Sequence, residues 1–441
     1  MRFILKKVTE IIFLMKNFIW HTTEKKFLNN NENWKLSTML SALKYLDNPQ
    51  KNIEKNVIHV AGTNGKGSTV SYIKTILEAD GYKVGVFTSP HLIEYNERIY
   101  ANKRFITDLE IKKYKQKIIK NCKNVKDISF FEITTLIAIL FFSDLQKKEG
   151  LKYFIFEVGL GGRLDATNIF KKSLASVITS ISFDHMDKLG NTLTKIAREK
   201  GGIIKPHTPV FTSNTNDKIV KELRRIANNK KAQLYQLNKD FFLYKNIKPS
   251  LLGEHQVINA TLAGEVCKFI GVKNKSIKKG ISSTKWSGRL QPISLKNINK
   301  KLLNISEIYL DGAHNEDGVR VLCNFINQTY YENTKLKQKI NIIGVFACLE
   351  RKNYKSFFPI FKKTPFNNLL FFKIPKKVND FVDVDKLSKI ANSYNIKHSI
   401  IKSFSEIKNH VNEDKNNIIF IFGSLYFVGW IMENFTTRKS S

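Results

Sequence analysis

A glycine-rich segment early in the chain carries the residue types that bind phosphate. It runs from Gly62 to Ser68 and places Lys66 among three glycines, directly after an apolar run. The backbone N–H groups of such a loop and of the following helix start converge on an anion, and the lysine adds a positive charge. The spacing departs from the usual P-loop pattern, because Val60 occupies the place of the first glycine and Gly67 directly follows Lys66. The alternative is a tight turn that needs glycines and binds nothing, but we expect a nucleotide triphosphate here.

Three further polar side chains follow apolar runs that are typical of buried strands. Ser89 comes after one run, Glu157 lies near the end of the next, and His185 follows a third. A carboxylate in an apolar strand is costly without a cation, and Mg²⁺ prefers oxygen ligands. The carboxyl ends of parallel strands meet at one sheet edge, so these three side chains would form an open metal site there. Since imidazole is a less usual Mg²⁺ ligand, Mn²⁺ would also fit.

Each of these side chains also has a structural alternative. Ser89 precedes a proline, and most Ser-Pro pairs only start a turn. Glu157 could form a salt bridge with Arg163, and a lone histidine such as His185 is usually structural. The residue types alone leave these alternatives open.

The elements that would position these groups alternate between strand and helix patterns. The strand-like runs are 57–60, 83–87, 153–158 and 175–181, and then, after the pattern restarts near Leu295, 307–310, 340–346, 369–374 and 418–422. Segments with helical spacing include 34–46, 70–80, 133–145 and 194–202. Such alternation predicts an α/β protein whose first domain carries the P-loop-type segment and whose second, smaller domain is Rossmann-like.

Composition favours a globular protein that attracts anions. The chain has 441 residues, enough for two or three domains, with 42% hydrophobic and 25% charged residues. The 73 basic and 38 acidic residues give a formal net charge of +35. The lysines are spread along the whole chain without a dense basic block, so the charge predicts attraction of anionic substrates rather than a nucleic-acid partner.

The cysteines and the N-terminal residues indicate the cellular compartment in which the protein is expected. Four widely separated cysteines form no Cys-x-x-Cys pair and indicate reduced thiols. The first twenty residues mix basic and apolar side chains, and Glu10 and Lys16 make them too broken for a signal peptide or a membrane span. This segment is either an amphipathic helix or the product of a misread start, with Met15 as the true one. We expect a cytoplasmic monomer without a membrane partner.

The glycine-rich segment Gly62 to Ser68, called the phosphate loop below, resembles that of the folylpolyglutamate synthase and dihydrofolate synthase family, a branch of the Mur-ligase-like amide ligases. Further segments resemble family motifs in the family's order, over roughly Val57 to Val428. They are Thr88 to Leu92, Ser129 to Glu132, Glu157 to Asn168, Lys200, Gly253 to Ala260, Gly288-Arg289, Asp311 to Asn315 and Gly423 to Tyr426.

Three positions depart from the family pattern. Gly201 replaces the more usual alanine after the motif lysine, and Glu316 replaces a proline after Asn315. The segment 349–352 reads Leu-Glu-Arg-Lys where relatives more often have Asp-Lys-Asp, which puts a substrate contact from that loop in doubt.

The resemblance implies a role for each motif residue. The implied metal ligands are Ser89, Glu157 and His185, and the implied catalytic groups are Lys66, Glu157, His185 and a carbamylated Lys200 near a second metal. The implied ATP-binding residues are Thr63, Asn64, Gly65, Lys66, Gly67, Ser68, Asn259, Arg289, Asp311 and His314. The implied substrate-binding residues are Ser129, Phe130, Phe131, Glu132, Arg163 and Asp165. Without the resemblance, Ser129 and Glu132 have the spacing of a capping box, and Arg289 is suited to phosphate or is a surface residue.

The resemblance also implies a domain plan. It gives an N-terminal extension at 1–33, an ATP- and pterin-binding ligase domain at 34–285, a linker with the Gly-Arg element at 286–294 and a C-terminal Rossmann-like ligase domain at 295–441.

The implied reaction is ATP-dependent amide formation. A carboxylate of dihydropteroate or of a reduced folate attacks the γ-phosphate of ATP to give an acyl phosphate, and the amine of L-glutamate then displaces phosphate. Two Mg²⁺ ions are implied, and the sequence does not decide between the two pterin substrates. The alternative within the same chemistry is a Mur-type ligase of cell-wall precursors, which the segments after Thr88 and Glu157 disfavour. A nucleic-acid-dependent ATPase is disfavoured because no aromatic-basic cluster is present.

Overall fold

The structure is a computed structural model that describes residues 35–293, 305–375 and 380–436. The predictions for residues 1–33 lie outside the described residues. The chain divides into two compact units. The first comprises the described part of Met1–Ile181 with Asp187–Leu243 and Thr261–Gly280, and the second comprises Ser182–Met186, Tyr244–Ala260 and the described part of Ile281–Ser441.

The first unit is built on a mostly parallel sheet. Its strands are β1 (Val57–Ala61), β2 (Val84–Phe87), β3 (Ile99–Ala101), β4 (Arg104–Phe105), β5 (Tyr153–Glu157), β6 (Ala175–Ile178), β7 (Val210–Thr212) and β8 (Leu234–Gln236). Among the described residues their spatial order is β4-β3-β2-β5-β1-β6-β7-β8. Only the pairs β2–β3 and β3–β4 are antiparallel. The central strands β1 and β5 are buried along their whole length, which explains why they are apolar runs without alternation.

Helices flank these strands. Between residues 35 and 283 they are α1 (Ser37–Tyr45), α2 (Lys66–Ala79), α3 (Asp108–Asn121), α4 (Phe130–Glu149), α5 (Met186–Leu189), α6 (Leu193–Gly201), α7 (Asp217–Asn229), α8 (Glu254–Phe269) and α9 (Asn274–Ser283). The start of α8, up to Ala260, and the end of α9, from Ile281, belong to the second unit. The capping box predicted at Ser129 and Glu132 is confirmed at the start of α4. In the part of the chain that the structure describes, no helix has both the length and the apolar character to cross a membrane.

The second unit has the predicted Rossmann-like sheet. Its strands are β9 (Gln291–Pro292), β10 (Ile305–Asp311), β11 (Ile340–Phe346), β12 (Asn368–Phe372), β13 (His398–Ile401) and β14 (Asn416–Phe422). The described order is β13-β12-β11-β14-β10-β9, and all neighbours are parallel except β9 and β10. Its helices are α10 (Glu316–Lys335), α11 (Phe358–Phe361), α12 (Val384–Ser393) and α13 (Leu425–Thr436). Its core is rich in phenylalanine, including Phe346, Phe361 and Phe422.

Two element boundaries differ from the sequence predictions near the motifs. Helix α2 begins at Lys66, four residues before the predicted start, because Gly65 serves as its left-handed N-cap with φ 85°. Strand β6 ends at Ile178, although the apolar run continues to Ile181. The Asn214 side chain takes the place of a strand partner there: its amide group donates to the carbonyl of Thr179, and its oxygen accepts the N–H of Ile181.

Candidate active site

The phosphate loop has a backbone that only glycine permits at two points. Gly62 follows β1 with φ 153°, and a Cβ atom there would lie 1.8 Å from Thr179 Oγ1. Gly65 has φ 85°, in the left-handed region. The first amides of α2 have no carbonyl one turn before them, and the helix dipole places partial positive charge at the same end. The predicted order of strand, turn and helix is present, and its geometry suits the anion that the sequence leads us to expect here.

Two lysines converge on one carbonyl of this loop. Lys66 Nζ donates to Gly62 O at 3.1 Å and to Thr63 O at 3.3 Å. Lys200 Nζ donates to Gly62 O at 2.8 Å, and Lys200 is only 4% exposed. A lysine in the last turn of α6 would by default be solvated, so this burial beside the phosphate loop is a distinguishing feature.

Gly201, the neighbour of Lys200, lies against α7. A Cβ atom at this position would lie 2.7 Å from Ile226 Cδ1 and 3.2 Å from Leu223 Cδ2, which are the ends of two flexible side chains. An alanine here would require only these side chains to shift, and the departure from the family's alanine leaves Lys200 in its place within α6.

Glu157 and Ser89 are brought together at the same end of the sheet. Glu157 is the last residue of β5 and pairs in register with Val60 of β1, two residues before Gly62. Its carboxylate is buried, and Oε2 accepts the N–H of Ser89 at 3.2 Å. The proposed alternative partner, Arg163, instead forms an ion pair with Glu199 at 3.0 Å.

The donor set at this point suits a hard cation. A buried carboxylate and a hydroxyl-bearing residue offer oxygen atoms, and Mg²⁺ usually takes only one or two protein carboxylates, with water and phosphate oxygens as its other ligands. Within the described ranges, no group of three or more His, Cys, Asp or Glu side chains has a metal-binding arrangement. Glu157 and Ser89 thus fit a metal that is also bound by the nucleotide.

His185 has surroundings that differ from the prediction. It was expected at the end of the strand 175–181, but β6 ends seven residues before it, and His185 belongs to the second unit. Its Nε2 lies 3.5 Å from Lys352 Nζ. Burial, followed by the charge of Lys352, lowers the pKa of His185 to about 3, so the imidazole is neutral at physiological pH and able to act as a ligand.

A partly buried ion pair in the second unit was not predicted from the sequence. Lys352 Nζ donates to Asp184 Oδ1 at 2.9 Å, and Asn315 Nδ2 donates to Asp184 Oδ2 at 3.0 Å. His314 Nε2 lies 3.8 Å from Asp184 Oδ2. The segment 349–352 departs from the family's Asp-Lys-Asp but keeps a lysine, and this lysine is the one signal in the sequence that points to the pair.

The motif residues of the second unit hold one another in place. Asp311 is buried, which raises the pKa of its carboxyl group, and it accepts the N–H groups of Leu290 and Ala313, each at 2.8 Å. His314 Nδ1 lies 2.7 Å from Gly312 O, and burial lowers the pKa of His314 to about 4. Arg289 donates to the carbonyl of Gly288 at 3.0 Å.

Asn259, predicted to bind ATP, lies elsewhere in the second unit, within α8. Its Nδ2 donates to Gln256 Oε1 at 3.2 Å, and both residues are buried.

The residues predicted to bind substrate lie in two structured segments of the first unit. Ser129 N–H donates to Glu132 Oε2 at 2.7 Å, and Phe131 packs so closely on Gly159 that a Cβ there would lie 2.5 Å from its ring. Asp165 is buried and accepts the amides of Leu160 and Thr167 at 2.9 and 3.0 Å. The side chains of Glu132 and Asp165 therefore also stabilise the local backbone.

Comparison with known proteins agrees with this arrangement. Residues 60–250 match the Mur ligase middle domain. The dihydrofolate synthase/folylpolyglutamate synthase of Bacillus subtilis is 32% identical over 427 residues, which cover 89% of this chain and 93% of the relative.

Two solved structures show the same fold. E. coli FolC in complex with DHPP and ADP has a TM-score of 0.80 at 24% identity, covering 96% of this chain and 98% of that chain. The bifunctional folylpolyglutamate synthase/dihydrofolate synthase from Yersinia pestis, complexed with AMPPNP and a Mn ion, has a TM-score of 0.78 at 24% identity, covering 92% and 94%. From the near full-length match at 32% identity, together with the phosphate loop and its two lysines, we conclude that this chain belongs to the dihydrofolate synthase/folylpolyglutamate synthase family of Mur-ligase-like enzymes.

Proposed function

We propose that this protein is an ATP-dependent ligase that joins L-glutamate to dihydropteroate and to the glutamyl end of reduced folates. The observation that carries the proposal is the set of side chains at one end of the first unit's sheet. There the β1–β5 register places Glu157 beside the strand that leads into the phosphate loop, and Lys66 and Lys200 both lie at that loop. The Bacillus subtilis relative bears both activities in its name, which supports the bifunctional assignment.

The proposed reaction has two steps. A carboxylate oxygen of the pterin substrate attacks the γ-phosphorus of ATP, and ADP leaves. The amine of L-glutamate then attacks the acyl carbon, phosphate leaves, and an amide bond has formed. The phosphate loop and the ammonium group of Lys66 hold the triphosphate and stabilise the charge that develops during transfer.

Ser89, Glu157 and His185 are the proposed metal ligands, with Lys200 near a second ion. A bound Mg²⁺ would neutralise phosphate charge during the transfer, and Mn²⁺ would serve as well, as the Yersinia pestis structure with Mn suggests. Asn259, Arg289, Asp311 and His314 are the proposed nucleotide contacts of the second unit. Ser129 to Glu132, Arg163 and Asp165 are the proposed substrate contacts.

We also propose a cytoplasmic monomer. The four cysteines are free and buried, as expected in a reducing compartment.

Lys200 is proposed to be carbamylated. A buried lysine beside a loop that binds polyphosphate adds positive charge, whereas its carbamate would add an acid able to bind a metal ion. We expect the intact protein, kept in bicarbonate buffer, to carry the mass of one CO₂ that acidification removes. The Lys200→Arg variant should show neither the added mass nor ligase activity. An unmodified Lys200 in fully active enzyme would contradict the proposal.

The function is tested by ADP release from purified protein with Mg²⁺, ATP and L-glutamate. We expect release with dihydropteroate and also with a reduced monoglutamyl folate, and the glutamylated products should appear by mass spectrometry. Omission of L-glutamate should suppress steady turnover, because the acyl phosphate then has no amine acceptor. Release with only one pterin would reduce the proposal to a single activity. If folded protein that binds ATP released no ADP with either pterin, the result would favour a Mur-type ligase acting on a cell-wall precursor.

A further inference from the structure

A short turn in the first unit holds the loop that carries Ser89. The turn is the 3₁₀ segment Tyr95–Arg98, and the loop is the segment from Thr88 to Glu94. The Glu97 carboxylate accepts three consecutive backbone N–H groups of that loop. The donors are Leu92 at 2.7 Å, Ile93 at 3.0 Å and Glu94 at 2.9 Å. One ionised side chain thus fixes half of the loop through charge-assisted hydrogen bonds.

Arg98 fixes the other half of the loop. It is only 2% exposed, and its Nε donates to His91 Nδ1 at 2.7 Å. Because the guanidinium group is always protonated, His91 Nδ1 must be the acceptor, which assigns the ring proton of the neutral imidazole to Nε2. The carbonyl of Arg98 also accepts the N–H of Thr88 at 2.9 Å, directly before Ser89.

The same turn contacts the start of α4, where the pterin contacts are proposed. The Arg98 guanidinium carbon lies 5.5 Å from the centre of the Phe130 ring. Tyr95 packs edge to face on Phe130 at 5.9 Å, and its hydroxyl donates to Thr134 Oγ1 at 3.1 Å. The Phe130 and Tyr95 side chains are buried, so a shift of one displaces the other.

These contacts form a continuous path across the first unit. At one end Ser89 N–H donates to Glu157, and at the other Phe130 begins the helix that bears the proposed substrate contacts. We propose that Glu97 and Arg98 are positioning residues that hold Ser89 beside Glu157, and that Arg98 couples metal binding there to pterin binding at Phe130. The coupling rests on the proposed function; the positioning of the loop does not.

Loop positioning is tested in metal-free protein by hydrogen exchange. The Glu97→Gln variant keeps the shape of the side chain but removes the charge and replaces one acceptor by an NH₂ group. We expect the amides of Leu92, Ile93 and Glu94 to exchange at least about tenfold faster than in wild type. Glu97 is the third residue of a capping box that Glu94 begins, and Glu110 has the same place in the capping box of α3. The matched control is therefore Glu110→Gln, which should leave the three amides unchanged. Unchanged protection in Glu97→Gln would overturn the positioning role.

Coupling is tested by the affinity for Mn²⁺ with AMPPNP, measured with and without dihydropteroate. In wild type we expect dihydropteroate to raise the affinity about fivefold or more. In Arg98→Lys, which keeps the charge but loses the planar Nε donor, the factor should fall close to one. Arg104→Lys, which alters an exposed Arg–Glu ion pair in the same unit, should keep the wild-type factor.

The outcomes separate the two proposals. Failure of dihydropteroate to bind the wild type at all would count against the proposed function. Binding without any effect on the Mn²⁺–AMPPNP affinity, or an equal factor in wild type and a folded Arg98→Lys variant, would overturn the coupling. If Arg98→Lys does not fold, Glu97→Gln takes its place in this test. The coupling would be overturned if dihydropteroate raised the Mn²⁺–AMPPNP affinity of folded Glu97→Gln by the wild-type factor although its loop exchanges faster.

Discussion

The Lys66→Ala variant is expected to lose ADP release almost completely, with kcat/KM for ATP reduced on the order of 10³-fold. Lys66 is the first residue of α2, and its ammonium group lies within hydrogen-bond distance of two carbonyls of the phosphate loop. During phosphoryl transfer, charge develops on the γ-phosphate oxygens, and a fixed ammonium group stabilises it more strongly in the transition state than in the bound substrate. The loss should therefore appear in kcat as well as in KM.

A matched lysine separates this local effect from the general basic character of the chain. Lys55 is exposed and precedes the opposite end of β1. Lys55→Ala removes the same charge and should retain activity within about twofold, because surface charges separated from the site are screened by salt. Circular dichroism and the unfolding temperature of both variants would confirm that they fold. A folded Lys66→Ala enzyme with more than a tenth of wild-type kcat/KM would contradict the assignment.

Local sequence patterns predicted most of the fold. Strands such as β1 and β11 are apolar because both faces are buried, so composition and length alone identify them. The capping box at Ser129 and Glu132 involves residues only three positions apart, so the sequence alone predicts it as well. The glycines of the phosphate loop were predicted for their backbone freedom, although the contact that excludes a side chain at Gly62 comes from Thr179, more than a hundred residues later.

Interactions between distant segments account for what the sequence did not predict. The end of β6 is decided by Asn214, a side chain from beyond β7, and no pattern within the run 175–181 indicates it. The pair of Lys352 and Asp184 joins residues that are 168 positions apart. Glu97 and Arg98 act on nearby residues, yet an acid and a base in a polar turn are usually solvated. Only the burial of Arg98 and the hydrogen bonds of both side chains distinguish them.

Two departures from the family motifs leave the neighbouring lysines in place. Gly201 lies against α7, and Lys200 before it still reaches the carbonyl of Gly62. The changed acidic residues around Lys352 leave its charge in place, and its ammonium group is held by Asp184. The contacts of a residue that differs from a motif must therefore be known before the difference is taken as evidence for or against a function.

The Glu157→Gln variant distinguishes a metal ligand from a structural carboxylate. Glutamine keeps the shape and can still accept the N–H of Ser89, but it removes the negative charge that a divalent cation requires. We expect kcat/KM to fall at least about 10²-fold at saturating Mg²⁺, and the affinity for Mn²⁺ with AMPPNP to fall by a similar factor. The matched control Glu110→Gln, which breaks the partly exposed ion pair with Arg104 away from the proposed site, should change neither by more than about twofold.

The unfolding temperature with and without metal tests whether Glu157 is a metal ligand. The unfolding temperature of the metal-free protein is the reference for both forms, because the neutral isostere removes the desolvation cost of a buried carboxylate together with its charge. Addition of Mg²⁺ and AMPPNP should then stabilise wild type by several degrees and the variant far less, because the gain scales with ligand affinity. If Glu157→Gln instead destabilised the metal-free protein while keeping the wild-type response to Mg²⁺, Glu157 would be part of an internal ion pair, and the metal would have to be bound elsewhere.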